Sequence, residues 1–134
     1  MAKGDYNETE SFKRGLATRK AVLGDKHVEA SLSKAAESPF LKLMQQVTTE
    51  YAWGDVWSRP GLDRKTRSFL SVALLACLGR SSELKVHVLG ALNNGATPDE
   101  IAEVLLHTSV YAGFPAGLEG FREAHAVLKD QGKA

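Results

Sequence analysis

The sequence predicts an all-α protein, and three observations support this fold class. Apolar residues recur at helical spacing along most of the 134-residue chain. The tetrapeptide TPDE, residues 97 to 100, is a strong signal for a helix start, because its threonine can cap the helix while its glutamate reaches back. No segment alternates apolar and polar residues between hairpin turns. We expect one domain, since a chain of this length fills a single core.

The first two helices follow from their end signals. Asn7 and Glu10 resemble a capping box, and the helix that they open should stop at Gly24. A short second helix is expected at about residues 25–35. Together these segments form an N-terminal arm of about residues 1–36, ahead of the rest of the single domain.

The helical core is expected over about residues 37–130. Ser38 and Pro39 can cap and start its first helix. The helical spacing of five apolar residues predicts that this helix faces a core; they are Phe40, Leu41, Met44, Val47 and Tyr51. Residues 54 to 62, GDVWSRPGL, contain two glycines and a proline and are predicted to be a loop.

The next helix should begin after the capping residue Asp63 and end at Gly79. Its nearly continuous apolar run, FLSVALLACL, predicts a central helix that is buried on most sides. Cys77 lies in this run, so we interpret it as a core residue. As the chain's single cysteine, it also excludes an internal disulfide and a Cys-x-x-Cys site.

Three further helices complete the predicted fold. One should run from about Ser81 to Asn94 and close at Gly95, in a left-handed conformation. Another should begin at Pro98 and end near Gly113, and the last should begin at Pro115. The helix that begins at Pro98 has its predicted apolar positions at Ile101, Val104, Leu105 and Thr108. The helix that begins at Pro115 has them at Phe121, Ala124 and Leu128.

Charge and composition favour a small-molecule partner. The chain has 17 basic and 16 acidic residues, so its net charge of +1 gives no electrostatic reason to expect nucleic acid or an anionic membrane. The first residues lack the apolar stretch of a signal peptide, and no apolar run is long enough to cross a bilayer. We therefore expect a cytoplasmic protein.

Arg80, Glu83 and His87 form a polar column, because their spacing of three and four residues places them on one side of a helix. A histidine among apolar neighbours can give and take a proton near neutral pH. The glutamate can fix the imidazole tautomer by a hydrogen bond or carry the proton itself, and the arginine can hold an anion. The alternatives are a structural core histidine and an ordinary solvated helix side.

Other polar residues admit two interpretations each. His107 and Tyr111 can line the same cavity or form a buried structural pair. Arg67 lies at a helix start, where the helix dipole does not favour a cation, so it indicates either an anionic ligand or a solvated surface. Trp57 and Arg59 can cover an anion, although tryptophans in a loop are also common anchors.

Several motifs resemble the carboxymuconolactone decarboxylase family in order and spacing. They are WGxVWxRPGLDxxTRS, GRxxELxxH and NGxTxxEIxExLLHxxxYxGxPA, preceded by RKAVLG near Arg19. Relatives in this family with peroxidase-like thiol chemistry carry cysteines where this chain has Arg80 and Glu83, so that chemistry is not expected here. The resemblance implies a helical protomer in a ring, usually a homohexamer.

The resemblance also implies a reaction, the decarboxylation of 4-carboxymuconolactone to β-ketoadipate enol-lactone in protocatechuate catabolism. No metal or organic cofactor is expected, because the conjugated carbonyl of the substrate accepts the electrons. His87, Glu83 and Arg80 are the expected catalytic residues. The expected substrate-binding residues are Arg67, Trp57, Arg59, His107 and Tyr111. A related enzyme acting on another lactone or β-keto acid, and a noncatalytic anion-binding protein, are the alternatives.

Overall fold

The computed structural model describes residues 5–134, and all regular elements in this range are helices. This confirms the all-α class for the described chain. The helices form two units, the first ending at Leu62 and the second comprising Asp63–Ala134. The single domain with an arm that ends near residue 36 stays a prediction.

The first unit contains α1 (Glu10–Leu23), α2 (Asp25–Ala35), α3 (Pro39–Val47) and a π-helix (Thr48–Trp57). The predicted cap of α1 is wrong by two residues, because the side chain that accepts the amide hydrogen of Phe12 belongs to Thr9 and not to Asn7. Ser38 does cap α3, with Pro39 in the first turn, as predicted.

The π-helix replaces part of the predicted loop. Residues 54–57 belong to it, and only the segment that follows Trp57 is irregular. Glycine and proline in this stretch predicted a loop, but only Gly54 lies inside the π-helix, whereas Pro60, which has no N–H to donate, and Gly61 follow its end. Long π-helices are rare, so the packing around this one is described with the candidate site.

The apolar side of α3 is exposed, which contradicts the prediction that it faces a core. Phe40 is 84% exposed, and no residue of α3 is buried. Helical spacing identifies an apolar side but does not show what covers it. The exposed apolar residues of this region are Phe40, Leu41, Leu43, Met44, Val47 and Tyr51, which we call the α3 face.

The second unit contains α4 (Arg64–Leu78), α5 (Ser81–Asn93), α6 (Pro98–Ala112) and α7 (Phe114–Asp130). The predicted end signals are confirmed. Asp63 caps α4, and Gly79 ends it in the left-handed conformation. Thr97 and Glu100 form the predicted capping box of α6, which ends before Gly113. The last helix begins one residue earlier than predicted, at Phe114.

A continuous apolar cluster joins the four helices of the second unit. Its fully buried members include Val72, Leu84, Val88, Ile101 and Leu105, from α4, α5 and α6. Ala124 of α7 completes the cluster. The predicted apolar side of α6 is therefore confirmed, since Ile101 and Leu105 both lie in this core.

Helix α4 is not buried on most sides, so that prediction is wrong. Only Ser68, Val72 and Ala76 are buried, a single narrow stripe at helical spacing. Cys77 is exposed and is therefore not a core residue. The exposed apolar residues of this unit include Leu70, Leu74 and Leu78 on α4, Leu106, Val110 and Tyr111 on α6, and Phe114 and Leu118 on α7; we call this set the α4/α6/α7 face.

Candidate active site

Two of the three residues of the predicted polar column, Glu83 and His87, lie on helix α5. Arg80 is the N-cap residue, with φ −93° and ψ 76°, so it precedes the helix, whereas Glu83 lies in the first turn. His87 lies one turn further on. Glu83 and His87 therefore share a side of α5 as predicted, while Arg80 and Glu83 are both exposed.

The imidazole of His87 lies at the boundary between core and surface. Its neighbours Leu84 and Val88 are buried, at 1% and 0% exposure, while His87 itself is half-buried. The Nδ1 atom is shielded from solvent. Part of His87 is therefore accessible to solvent and to a ligand, as a proton donor requires, while its Nδ1 is not.

The predicted hydrogen bond between Glu83 and His87 is not formed. Within residues 5–134, the Glu83 carboxylate makes no hydrogen bond or ion pair. An exposed carboxylate keeps its hydration at no cost, so spacing by four residues alone does not enforce the contact. Glu83 therefore does not fix the imidazole tautomer in this structure, and its alternative role as a proton carrier stays a prediction.

Arg67 and Arg80 lie at opposite ends of the hairpin that α4 and α5 form. The side-chain amide of Asn94, after α5, donates to Ser68 Oγ at 2.9 Å in the second turn of α4. The backbone N–H of Arg80 donates to the Leu75 carbonyl near the other end. At 1.5 Å per residue, Arg67 and the end of α4 are about 16 Å apart along the axis. The level of His87 falls between them.

The two arginines also differ in burial. Arg67 is half-buried and its Nε is shielded from solvent, whereas Arg80 is exposed. A charge-assisted hydrogen bond from a partly desolvated guanidinium is stronger than one from a hydrated guanidinium. Arg67 is thus the better of the two candidates for holding a carboxylate.

His107 and Tyr111 lie together on the exposed side of α6. Their ring centroids are 5.0 Å apart, and Tyr111 is 80% exposed, so the alternative of a buried structural pair is wrong. Both residues line a shallow cavity of about 410 Å³ that also contains Leu74 and Cys77. This cavity belongs to the α4/α6/α7 face.

Trp57 is the last residue of the π-helix, and Arg59 lies two residues further along the chain. Trp57 stacks on Trp53, with ring centroids 4.7 Å apart and an interplanar angle of 22°, and Trp53 is buried. Arg59 is exposed and lines a polar cavity of about 430 Å³ together with Arg14 and Ser58. Trp57 is therefore anchored, as loop tryptophans often are, and Arg59 is presented to solvent.

The first unit contains a buried arginine, Arg19, whose burial its residue type did not predict. Arg19 is 6% exposed, and its Nη1 donates to Gln45 Oε1 at 2.9 Å and to Thr49 Oγ1 at 3.1 Å. Burial lowers the pKa of Arg19 from its usual value. Burial, and secondarily the charge of Arg19, lower the pKa of His27.

The described residues contain neither a membrane-spanning helix nor a cluster of metal ligands. Within residues 5–134, no helix combines the length and apolar content that a bilayer span requires. In the same range, no three side chains of histidine, cysteine, aspartate or glutamate are grouped closely enough to hold a metal ion.

Comparison with known proteins defines the family. A model of the carboxymuconolactone decarboxylase family matches residues 42–126. The chain belongs to this family. It is similar to a 4-carboxymuconolactone decarboxylase of Acinetobacter baylyi, with 45% identity over 96% of this chain and 94% of the relative.

A second relative is named for a different substrate. A nitrosuccinic acid decarboxylase of Metarhizium robertsii is 42% identical over 96% of this chain and 89% of its own length. An uncharacterised 15.0 kDa protein of Paracoccus denitrificans is 34% identical over 61% of this chain. The two relatives with a named activity are thus both decarboxylases.

Proposed function

We propose that this protein is a carbon–carbon lyase that decarboxylates 4-carboxymuconolactone and yields β-ketoadipate enol-lactone, without an added cofactor. The observation that carries the proposal is the 45% identity, along nearly the whole chain, to a decarboxylase of that name. We propose, from the family resemblance, that this reaction is a step of protocatechuate catabolism. We place it in the cytoplasm, whose reducing conditions suit a single exposed thiol.

The reaction needs one bond to break and one proton to arrive. The bond between the ring carbon and its carboxylate breaks, and its electron pair moves through the ring to the lactone carbonyl oxygen, giving a dienolate. A proton then adds to the ring carbon beside that carbonyl. The protein must hold the second carboxylate, stabilise the dienolate oxygen and supply the proton.

Arg67 is the proposed clamp for the acetate arm of the substrate. Its half-buried guanidinium can hold a carboxylate in a bidentate contact and align the scissile bond with the ring π-system. Arg80 and Arg59 are exposed, and we propose for them the weaker role of attracting the doubly charged substrate.

His87 is the proposed proton donor, with Glu83 as the alternative carrier. Imidazole is the side chain best suited to proton transfer, and the partial shielding of His87 favours transfer to a bound carbanion over exchange with water. The same N–H can stabilise the dienolate oxygen before transfer. Trp57 is a proposed apolar contact for the leaving carboxylate.

The direct test is turnover of the purified protein with synthetic 4-carboxymuconolactone. We expect equal amounts of carbon dioxide and enol-lactone, measured by infrared absorption and NMR, without added metal and in the presence of a chelator. A correctly folded protein that releases no carbon dioxide would reject the proposal.

Nitrosuccinic acid is the second candidate substrate, because a relative named for it is nearly as similar to this chain. Both substrates carry the leaving carboxylate and a CH₂–COO⁻ arm on the same carbon, so one arginine clamp serves both. They differ in the electron sink, a nitro group in one and a lactone carbonyl in the other. Comparing kcat/KM for the two substrates decides between them, and we expect the lactone to be preferred.

We further propose that the protein is a homo-oligomer, a hexamer by the family resemblance. The α3 face and the α4/α6/α7 face each expose more apolar surface than isolated surface residues explain. Because the two faces differ, they can pair head to tail, the type of contact that closes rings. His107 and Tyr111 would then contact substrate only in the assembled form.

The assembly is tested by native mass spectrometry of the wild type and of Val110→Glu. Val110 is 70% exposed, so the charge does not disturb the core of the protomer. We expect a hexamer for the wild type and smaller species for the variant. A monomeric wild type at micromolar concentration would reject the assembly.

A further inference from the structure

Helix α1 and the π-helix approach more closely than side chains allow, because both have glycine at the crossing. A Cβ on Gly15 would overlap the Thr49 carbonyl oxygen and lie 2.7 Å from the Gly54 amide nitrogen. A Cβ on Gly54 would in turn overlap the carbonyl oxygen of Ser11. The atoms that these Cβ positions would meet belong to the backbone, which does not move aside as flexible side chains do.

Side chains of α1 hold the last turn of the π-helix at two points. Arg14 Nε donates to the Gly54 carbonyl at 2.9 Å, and its Nη2 contacts Asp55 Oδ1 at 3.0 Å. Thr18 and Ser58 share a hydrogen bond of 2.8 Å between their hydroxyls. Ser58 donates its only hydroxyl hydrogen to the Trp53 carbonyl at 2.7 Å, so Thr18 is the donor in that pair.

The opposite end of the π-helix is held in the same way. Thr9 Oγ1 donates to Glu50 Oε2 at 2.6 Å, and the buried Arg19 donates to Thr49 Oγ1. Every one of these donors lies on α1 or at its cap. Helix α1 therefore supplies the contacts that fix the π-helix from its first turn to its last.

The π-helix needs such support, because its hydrogen-bond geometry occurs mostly as single-turn bulges, whereas this one spans ten residues. Trp57, its last residue, is a proposed substrate contact, and Arg59, two residues further on, is proposed to attract the substrate. A change of register from i to i+5 toward i to i+4 would rotate Trp57 about the helix axis and displace the start of the segment that carries Arg59. Their direction thus depends on contacts made by α1.

We propose that Arg14 and Thr18 are positioning residues, which set the orientation of Trp57 and Arg59 toward the substrate by fixing the last turn of the π-helix. This inference rests on the proposed function for the role of those two residues. Its structural part can be measured without substrate, because the only two tryptophans of the chain are Trp53 and Trp57. Their stacked rings give tryptophan bands in the near-ultraviolet circular dichroism spectrum, and these long-wavelength bands report on this helix.

The test compares two double variants on the same helix. Arg14→Met with Thr18→Val removes both donors, and Lys13→Met with Ala17→Val removes one positive charge and introduces one valine at exposed neighbouring positions. In the first variant we expect a smaller tryptophan signal. We also expect KM to rise about tenfold, which corresponds to the free energy of one or two lost hydrogen bonds, while kcat changes less than about twofold. The control should match the wild type.

Single variants keep the test interpretable if the double variant does not fold. Thr18→Val should reproduce part of the KM effect, and Thr18→Ser, which retains the hydroxyl, should restore it. Ser58→Ala should abolish the additional effect of Thr18→Val, since both act through one hydrogen-bond chain.

Two results would overturn the inference. One is an unchanged tryptophan signal in a folded variant that lacks both donors. The other is an altered tryptophan signal with an unchanged KM, because the positioned residues would then not contact substrate. Failure of the proposed function has a separate signature, namely a wild type that does not turn over the lactone.

Discussion

The two units of the chain are stabilised by different kinds of contact. The unit from Asp63 to Ala134 is organised around an apolar cluster that includes Val88 and Leu105, and two of its helices, α4 and α6, begin at side-chain caps. The unit that ends at Leu62 also buries apolar residues, but its π-helix is held by glycine contacts and hydrogen bonds to α1, including those of the buried Arg19.

This difference predicts which unit tolerates amino-acid substitutions better. An apolar cluster accepts substitutions that conserve volume, whereas a close glycine contact or a buried hydrogen bond accepts almost none. The proposed chemical groups, Arg67, Glu83 and His87, lie on helices that the apolar cluster supports. The proposed orienting groups, Trp57 and Arg59, depend on polar contacts. We therefore expect chemistry and orientation to be separable by mutation.

The largest expected effect is on chemistry in the second unit. His87→Asn removes the proposed proton donor and should lower kcat by about 10²- to 10⁴-fold, the usual contribution of a general acid. The melting temperature should change little, because His87 is only half-buried. Stopped assays of lactone loss measure the effect, with the exposed His125→Asn as the control. A variant with wild-type kcat would remove His87 from the mechanism.

The next effect compares stability between the units. Leu105→Ala deletes a side chain with 0% exposure in the apolar cluster and should cost about 2–5 kcal/mol of unfolding free energy. Thr49→Val keeps the shape of a residue that is also 0% exposed but removes the acceptor for Arg19, and should cost about 1–3 kcal/mol. Urea denaturation gives both values. A greater loss for Thr49→Val would reverse the comparison.

A smaller effect separates the two arginines of the α4–α5 hairpin. Arg67→Met should lower kcat/KM for the lactone by about 10- to 100-fold, the range of a charge-assisted hydrogen bond. Arg80→Met should lower it by about threefold or less, mainly through weaker attraction at low salt, because Arg80 is exposed. Equal losses would show that burial does not distinguish the clamp.

The smallest effect is the pH dependence of the first unit. Burial and the charge of Arg19 lower the pKa of His27 below 6.5, so the unfolded chain binds more protons between the folded pKa and that value. Stability should therefore fall as the pH is lowered from 7.5 through this window. His27→Gln should flatten the melting temperature profile between pH 7.5 and 5, whereas the exposed His125→Gln should leave its slope unchanged. Parallel profiles for His27→Gln and the wild type would contradict the assignment.

Local signals predicted the helix ends well, for a physical reason. The caps at Ser38, Asp63 and Thr97 depend on residues within one turn, so the sequence contains the whole interaction. Nothing local indicated the π-helix, because its support comes from Gly15 and other α1 residues about 40 positions away. The exposed apolar sides of α3 and α4 were missed because periodicity does not reveal what covers a surface.

The candidate site shows the same division. Spacing correctly placed Glu83 and His87 on one side of α5, since helical geometry fixes their relation. The hydrogen bond predicted between them is absent, because an exposed glutamate can bind water and adopt several rotamers instead. The exposure of His107 and Tyr111 was left open for a related reason, because an apolar neighbour in sequence does not guarantee an apolar neighbour in space.

The most direct test of the central claim, that the protein itself delivers the proton, is turnover of 4-carboxymuconolactone in D₂O with NMR of the earliest product. The account predicts a single deuterium on one face of the ring carbon beside the carbonyl, and loss of this stereospecificity in any residual turnover by His87→Asn. Deuterium distributed equally between both faces in the wild-type product would mean that water protonates a released dienolate, and would contradict the account.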